Sequence, residues 1–321
     1  MLGAVIRRSN HDVNFLFFSA GGACLSGRQG SSKGGKGSGN LVIYPTNTSF
    51  KIFYFWQAHR VAVQILKDLN IKKDSWVVTT QDPFETGLVG VWIKNKFKIP
   101  LQVQCHVDFL NKYFWQESFK NKLRMLLAKF VLPRADGIRV VSERISKSLT
   151  SYFLFPKSRI TVLPIFVDVQ KIANAPIKTD LHKKYRGYDF IVLMASRLSR
   201  EKNIGLAIQA MKEVVVKHPH SLLLIVGEGV EKNSLEVRIR KYEIGKSVIM
   251  EPWNDDLASY YKTADLFLLT SNYEGYGRTI IEAASVGLPI VSTKVGIAEE
   301  IVPSSGGCVV GVGDKAGITS S

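Results

Sequence analysis

The chain has 321 residues, 45% of them hydrophobic and 22% charged, with 43 Lys+Arg against 27 Asp+Glu and a net charge of +16. Such a composition supports packed cores and excludes general disorder, the length suffices for two domains, and no apolar run approaches the roughly 18 residues that span a bilayer. Cys24, Cys105 and Cys308 are odd in number, widely spaced and without metal spacing. They read as free thiols of a reducing cytoplasm, not as a disulfide framework or a zinc site.

In chain order, Val13 to Ser19 reads as a strand. Asn14 to Cys24 is apolar, but Asp12 precedes it and glycines break it, which disfavours a signal peptide. Gly21 to Gly39 is rich in Gly, Ser and Lys; its Gly34-Gly35 and Gly37 lack a following Gly-Lys-Ser/Thr, so a loop is expected and not a phosphate loop. Leu41 to Tyr44 is a short strand, Trp56 to Leu69 a helix, Trp76 to Thr80 a strand, Thr86 to Lys96 a helix and Leu101 to Cys105 a strand. Phe119 to Leu132 is an amphipathic helix stopped by Pro133. Gly137 to Val141 is a strand, Ser142 an N-cap for the next helix, and Ile160 to Leu163 a last strand. A linker is expected over 164–180, between a first domain at 1–163 and a second at 181–321.

The second half alternates more cleanly, with strands at Phe190–Ala195, Leu222–Val226, Val248–Met250, Leu266–Leu269, Ile290–Ser292 and Cys308–Val310. Helical patterns lie between them, which predicts an α/β domain with a parallel sheet covered on both faces. Charge is divided unevenly: residues 1–180 hold 26 Lys+Arg against 11 Asp+Glu, nearly the whole excess. A basic half suits an anionic membrane surface, with a plain solvated surface as the alternative. Nucleic acid is not expected as a partner, because aromatic platforms interleaved with Arg/Lys are missing. A dinucleotide dehydrogenase is disfavoured, because no Gly-x-Gly-x-x-Gly opens a βαβ unit.

Two segments carry chemistry. Glu274-Gly-Tyr-Gly-Arg-Thr-Ile-Ile-Glu282 follows a buried-strand pattern and leads into a helix ending near Gly287-Leu-Pro289. The glycines Gly275 and Gly277 before a helix start suit a phosphate, because the first helical N–H groups lack partners. Glu274 lies in the turn, and Glu282 about 7 Å further along the axis at 1.5 Å per residue, so the acids flank that position and could read hydroxyls. Upstream, Ser196-Arg-Leu-Ser-Arg-Glu-Lys-Asn203 follows the strand Phe190–Ala195 and puts Arg197 and Lys202 on a strand-to-helix loop. Fixed cations at the carboxyl end of a parallel strand can hold a diphosphate and stabilise it as a leaving group. Together these describe a site for a sugar nucleotide.

With Val226-Gly-Glu-Gly229, Ala264-Asp-Leu-Phe267 and Gly287-Leu-Pro-Ile-Val-Ser292, these pieces occur in an order that resembles the donor-binding domain of family-four, group 1, retaining glycosyltransferases. The first half is similar to the acceptor domain of that family in Thr80-Gln-Asp-Pro-Phe84 and Gln104-Cys-His-Val-Asp-Phe109. The resemblance implies the GT-B fold: two Rossmann-like domains with parallel sheets facing across a cleft. It implies transfer of a sugar from a nucleotide-diphosphate sugar to the hydroxyl of a glycan or lipid-linked sugar, with retention and without a metal or other cofactor. It assigns Glu274 to the donor sugar's hydroxyls, Glu282 to the ribose, Arg197 and Lys202 to the diphosphate and His106 to the reacting carbon. It groups Gly275, Gly277, Arg278, Thr279, Gly227, Gly229 and Trp253 with the donor.

Read as residues alone, His106 at a strand end is either cleft-facing or merely packed, and Asp108 likewise. Gln81 and Asp82 either line the cleft or form a plain turn; Gly227 and Gly229 either admit a nucleotide or make an ordinary turn; Trp253 either flanks a base or packs in the core. Arg278 stands one turn before Glu282 and can pair with it. Asp255-Asp256 reads as a helix cap, and no Asp-x-Asp sits at a strand end, so no catalytic metal is expected. Against the family's pattern both ends look cut: the first strand with its glycine loop and the closing helices are expected to be missing. An inactive protein of this fold that binds nucleotide or membrane, or another sugar-nucleotide enzyme such as an epimerase, are the alternatives. The expected location is the cytoplasm, at the inner face of the membrane.

Overall fold

The computed structural model describes residues 2–8, 14–20, 41–45, 59–60, 62–64, 66–67 and 76–321. The glycine-rich stretch 21–39 and Cys24 lie outside the described residues, and the helix expected over 56–69 is described only at 59–60, 62–64 and 66–67, where it is helical. Two compact units result, Met1–Leu110 with Ser118–Leu163, and Asn111–Glu117 with Pro164–Ser321.

The first unit holds a seven-stranded sheet in the order β3-β1-β2-β4-β5-β6-β7. Its strands are β1 (Leu2–Arg8), β2 (Asn14–Ala20), β3 (Leu41–Pro45), β4 (Trp76–Thr80), β5 (Leu101–Cys105), β6 (Gly137–Val140) and β7 (Ile160–Val162). From β2 to β7 neighbours run parallel. Strand β1, not expected from the sequence, runs antiparallel to both β2 and β3 and so departs from a purely parallel sheet. The cause is chain length: only residues 9–13 join β1 to β2, and a parallel neighbour needs a crossover of about a dozen residues.

Helices α1 (Glu85–Phe97), α2 (Lys112–Glu117), α3 (Phe119–Val131) and α4 (Glu143–Phe153) follow. Ser118 and Ser142 cap α3 and α4, each accepting from the backbone N–H three residues on. Helix α3 stops at Val131, and Pro133 sits in the 3-10 turn Leu132–Arg134 that follows. Arg124 of α3 ties back to Glu85 of α1 at 2.9 Å.

The second unit is a fully parallel six-stranded sheet, β10-β9-β8-β11-β12-β13. Its strands are β8 (Phe190–Ala195), β9 (Ser221–Val226), β10 (Val248–Glu251), β11 (Leu266–Leu269), β12 (Ile290–Thr293) and β13 (Cys308–Val310). Buried side chains alternate between two cores, one on each face: Ile191, Leu193 and Leu224 pack on one, Val192, Met194 and Leu223 on the other. Strands covered on both faces must be apolar along their whole length, which is why they were legible as continuous runs.

Helices α5 (Val169–Asn174), α6 (Leu181–Lys184), α7 (Ile204–Lys217), α8 (Lys232–Lys241), α9 (Leu257–Thr263), α10 (Arg278–Ala284), α11 (Ala298–Ile301) and α12 (Lys315–Ser320) complete the unit. The stretch 164–180 expected as a linker contains α5 and is bound to α9: Lys262 donates to the Ala173 carbonyl at 2.7 Å, and the Lys178 N–H to Ser259 at 2.8 Å. Helix α2, expected within the first domain, belongs to this unit as well. The Phe114 ring meets Tyr273 edge-on at 5.6 Å, and the Tyr273 hydroxyl donates to Glu117.

Candidate functional site

The strand order of the second unit reverses direction between β8 and β11, the two strands that share the centre of the sheet. At such a switch point the loops leaving adjacent strands diverge and open a crevice beyond their carboxyl ends, where ligands of open α/β sheets bind. The loop after β8 carries Arg197 and Lys202; the loop after β11 carries Glu274.

These loops are stitched together. The Asn272 N–H donates to the Glu201 carbonyl at 2.7 Å, Asn203 donates to Asn272 at 3.0 Å, and the Thr270 hydroxyl lies 3.0 Å from the Lys202 carbonyl. At their junction Lys202 donates to Glu274, with side chains only 14% and 15% exposed. Ser271 donates to the same Glu274 oxygen at 2.9 Å. Arg197 is placed differently: it is 79% exposed and rests on Glu201 at 3.1 Å. The expected cation pair is therefore one lysine held on an acid and one arginine reaching into solvent from the same loop.

The turn Glu274–Gly277 is shaped from both sides. Gly277 has φ +97° and precedes α10. Gly296, at φ +52°, lies under the turn: a Cβ there would stand 2.2 Å from the Tyr276 carbonyl oxygen, which accepts the Ile297 N–H at 2.9 Å. Gly275 is buried, Arg278 exposed and Thr279 half-buried. Along α10, Glu282 accepts the Tyr261 hydroxyl at 3.0 Å, and Arg278 lies 3.6 Å away, the pairing their spacing predicts. Burial, then the Glu282 charge, push the Tyr261 phenol well above its ordinary value, so it stays a donor.

The remaining expected residues of the second unit have these surroundings. Gly227 and Gly229 make their close approach to the neighbouring loop: a Cβ would meet the Ser196 oxygen at 1.9 Å and the Leu198 oxygen at 2.3 Å. Both positions therefore require glycine for the packing of these two loops. Trp253 is 51% exposed in the loop after β10, so it is not a core residue. Asp256 stands before α9, yet its carboxylate accepts the Ser259 hydroxyl at 2.7 Å and caps no backbone N–H.

In the first unit, Asp82 is a turn residue. Its carboxylate accepts the Phe84 N–H at 2.8 Å and the Thr86 N–H at 3.2 Å at the entrance to α1. Burial raises its pKa against those bonds. Gln81 beside it is exposed. Asp108 is buried and accepts from Arg144 of α4 at 3.4 Å; burial raises its pKa more than Arg144 lowers it. Asp82 is half-buried and Asp108 buried, each held by bonds within the first unit.

His106 ends a polar ladder that the sequence did not single out. Its Nε2 lies 3.0 Å from the Gln104 side-chain oxygen, which also accepts from Arg139 at 3.1 Å. Gln104 in turn donates to Thr79 at 3.1 Å, and Thr79 to Gln102 at 3.2 Å. An oxygen acceptor assigns the proton to Nε2 and leaves the Nδ1 lone pair available. Burial, then the Arg139 charge, hold His106 below its usual value of 6.5. The available signal was polar residues at alternate positions of a buried strand, Gln102 and Gln104. Tyr273 and Glu117 were also missed; they meet across 156 positions of sequence. Burial, then Glu117, raise the Tyr273 phenol far above its ordinary range.

Comparison with known proteins agrees with this architecture. Residues 178–318 match the family model described as Glycosyl transferases group 1, and residues 2–171 that described as Glycosyltransferase Family 4. An uncharacterised glycosyltransferase of Methanocaldococcus jannaschii is 26% identical over 274 residues, 82% of this chain and 66% of that one. The Escherichia coli UDP-Gal:alpha-D-GlcNAc-diphosphoundecaprenol alpha-1,3-galactosyltransferase is 32% identical over 277 residues, 81% of this chain and 70% of that one. An alpha-monoglucosyldiacylglycerol synthase of Streptococcus pneumoniae is 28% identical over 227 residues, so the chain spans 51% of that relative's length. Among solved structures, Anabaena HepE in complex with UDP-glucose superposes with a TM-score of 0.67 at 20% identity, over 82% of this chain and 71% of that one, a likeness of fold. The two Rossmann-like units are those of the GT-B fold, and the chain belongs to the group 1 glycosyltransferases of family 4.

Proposed function

We propose that the protein transfers a sugar from a nucleotide-diphosphate sugar to a hydroxyl of a glycan or lipid-linked acceptor, with retention at the anomeric carbon. The observation that carries this reading is the Lys202–Glu274 pair where the two loops of the switch point meet. A diphosphate entering there meets Lys202 and, from the solvent side, Arg197, while Glu274 exchanges its lysine for sugar hydroxyls. Glu282, steadied by Tyr261, reads the ribose. The acceptor oxygen bonds to the anomeric carbon on the face from which the diphosphate leaves; the carbon–phosphate oxygen bond breaks, and the departing phosphate oxygen takes the acceptor proton.

Cationic side chains supply the charge balance here, so turnover without an added divalent metal is the expected outcome, and loss of turnover in a chelator would contradict it. The names of two relatives, a diphosphoundecaprenol-linked galactosyltransferase and a glucosyldiacylglycerol synthase, favour a lipid-linked acceptor. The basic first half suits such an acceptor at the inner face of a membrane, and among the described residues no helix is long and apolar enough to cross one.

The test is transfer of labelled sugar from uridine, guanosine and adenosine diphosphate sugars into a lipid extract. Glu274→Ala should abolish transfer while circular dichroism stays that of the wild type. Undiminished turnover in that variant would remove Glu274 from the site, and an inverted anomer by NMR would refute retention.

A further inference from the structure

A lipid-linked acceptor raises the question of which surface meets the lipid. Helix α3 answers it. Phe119, Leu123, Leu126 and Phe130 are 82%, 51%, 60% and 42% exposed. They recur at steps of four, three and four residues, which puts them in one line on a helix of 3.6 residues per turn. The buried residues of α3 are Asn121, Ala128 and Val131, on the other side. An apolar line opposite the buried face is not core packing. Singly scattered apolar residues are normal on a surface, whereas four bulky ones in register are not.

The charge around the line is of one sign. Between Ser118 and Ala135 the chain has Lys120, Lys122, Arg124, Lys129 and Arg134 and no acid. Arg124 is engaged by Glu85, but Lys120, Lys122 and Lys129 are exposed and have no acidic partner among the described residues. Lys129 lies 5.2 Å over the half-exposed Tyr152 ring, so the end of α4 continues the patch, and Arg134 lies 3.8 Å over Phe130. A second copy of the chain is a poor occupant, since the same cations would face each other. Nucleic acid would leave the apolar line facing phosphate. An apolar line rimmed by lysines fits a bilayer surface, where the bulky side chains enter the acyl boundary and the lysines reach up to phosphate.

We propose that α3 lies in the plane of an anionic membrane surface and docks the protein there. This rests on the reading of a lipid-linked acceptor and names the element that serves it. The test is sedimentation of the full chain with phosphatidylcholine vesicles, with and without phosphatidylglycerol, at low and high salt. The wild type should bind the anionic vesicles, and salt should weaken binding. Leu123→Ser with Leu126→Ser and Phe130→Ser, an exposed change that leaves Tm in place, should lower affinity at least tenfold. Lys120→Glu with Lys122→Glu and Lys129→Glu should lower it further, by roughly fivefold for each lysine lost. The equal charge change at Lys217, Lys232 and Lys241 of the second unit should leave binding within about twofold of the wild type on this account. Leu123→Trp should show blue-shifted fluorescence on anionic vesicles. Binding unaltered by the Ser variant, or lowered equally by the distant charge reversal, would overturn the assignment to α3. A wild type that ignores all vesicles would overturn it together with the membrane-facing reading. Sugar transfer to a water-soluble acceptor, expected to be unaltered in the Ser variant, reports separately on the transferase reading.

Discussion

Lys202 and Glu274 are each largely shielded from water and each is the other's charge partner. Removing one strands the other, which costs about 3–5 kcal/mol for a buried pair. Lys202→Met and Glu274→Gln should therefore each lower unfolding free energy, and the double variant should lose less than the sum, with a coupling of about 1–3 kcal/mol. Additive losses in urea titrations would mean the pair is not a unit. His106 yields a pH dependence of known sign. Its folded pKa lies below the usual 6.5 because burial, then Arg139, disfavour the imidazolium. The unfolded chain thus binds the proton first, and the stability present above about pH 6.5 is lost as pH falls through the lowered folded value. His106→Gln should flatten that part of the stability profile, and an unaltered slope would place the titration elsewhere.

At the scale of elements, the loop after β12 and the turn before α10 hold each other. Gly296 combines a left-handed backbone with contact on the Tyr276 carbonyl. Gly296→Ala should cost about 1–3 kcal/mol through strain alone. It should also weaken nucleotide binding, because the turn it displaces carries Glu274; calorimetry with unaltered affinity would separate the two. Helix α2 is fastened by Phe114 and Glu117 on Tyr273, one residue before Glu274. Tyr273→Phe keeps the ring contact and removes the hydroxyl, so amide exchange over residues 112–117 should accelerate. Unaltered protection there would show that the ring alone fastens the helix.

At the scale of the whole molecule, the excess cations lie in the first 180 residues, and the candidate switch-point site lies in the second unit. On the proposed function, a nucleoside diphosphate should stabilise the chain by about 2.7 kcal/mol at a hundredfold excess over Kd. In thermal-shift measurements Lys202→Met and Arg197→Ala should reduce that gain, while charge reversal on α3 should leave it in place. Loss of the gain in the α3 variant instead would put nucleotide binding in the basic half.

By itself the sequence determined the parallel α/β character of the second unit, because strands buried on both faces are spelled as uninterrupted apolar runs; Phe190–Ala195 and Leu266–Leu269 are strands with those same ends. It also determined the family, through short motifs whose chemistry is local to one turn or helix start. Tertiary structure decided the rest. That Lys202 meets Glu274 across 72 positions, that Gly227 is spent on Ser196, that Asp82 and Asp108 are occupied by the Phe84 N–H and Arg144, and that α2 joins the second unit all depend on strand order and on contacts between distant residues. Periodicity reports which face of an element is buried, but not which neighbour buries it.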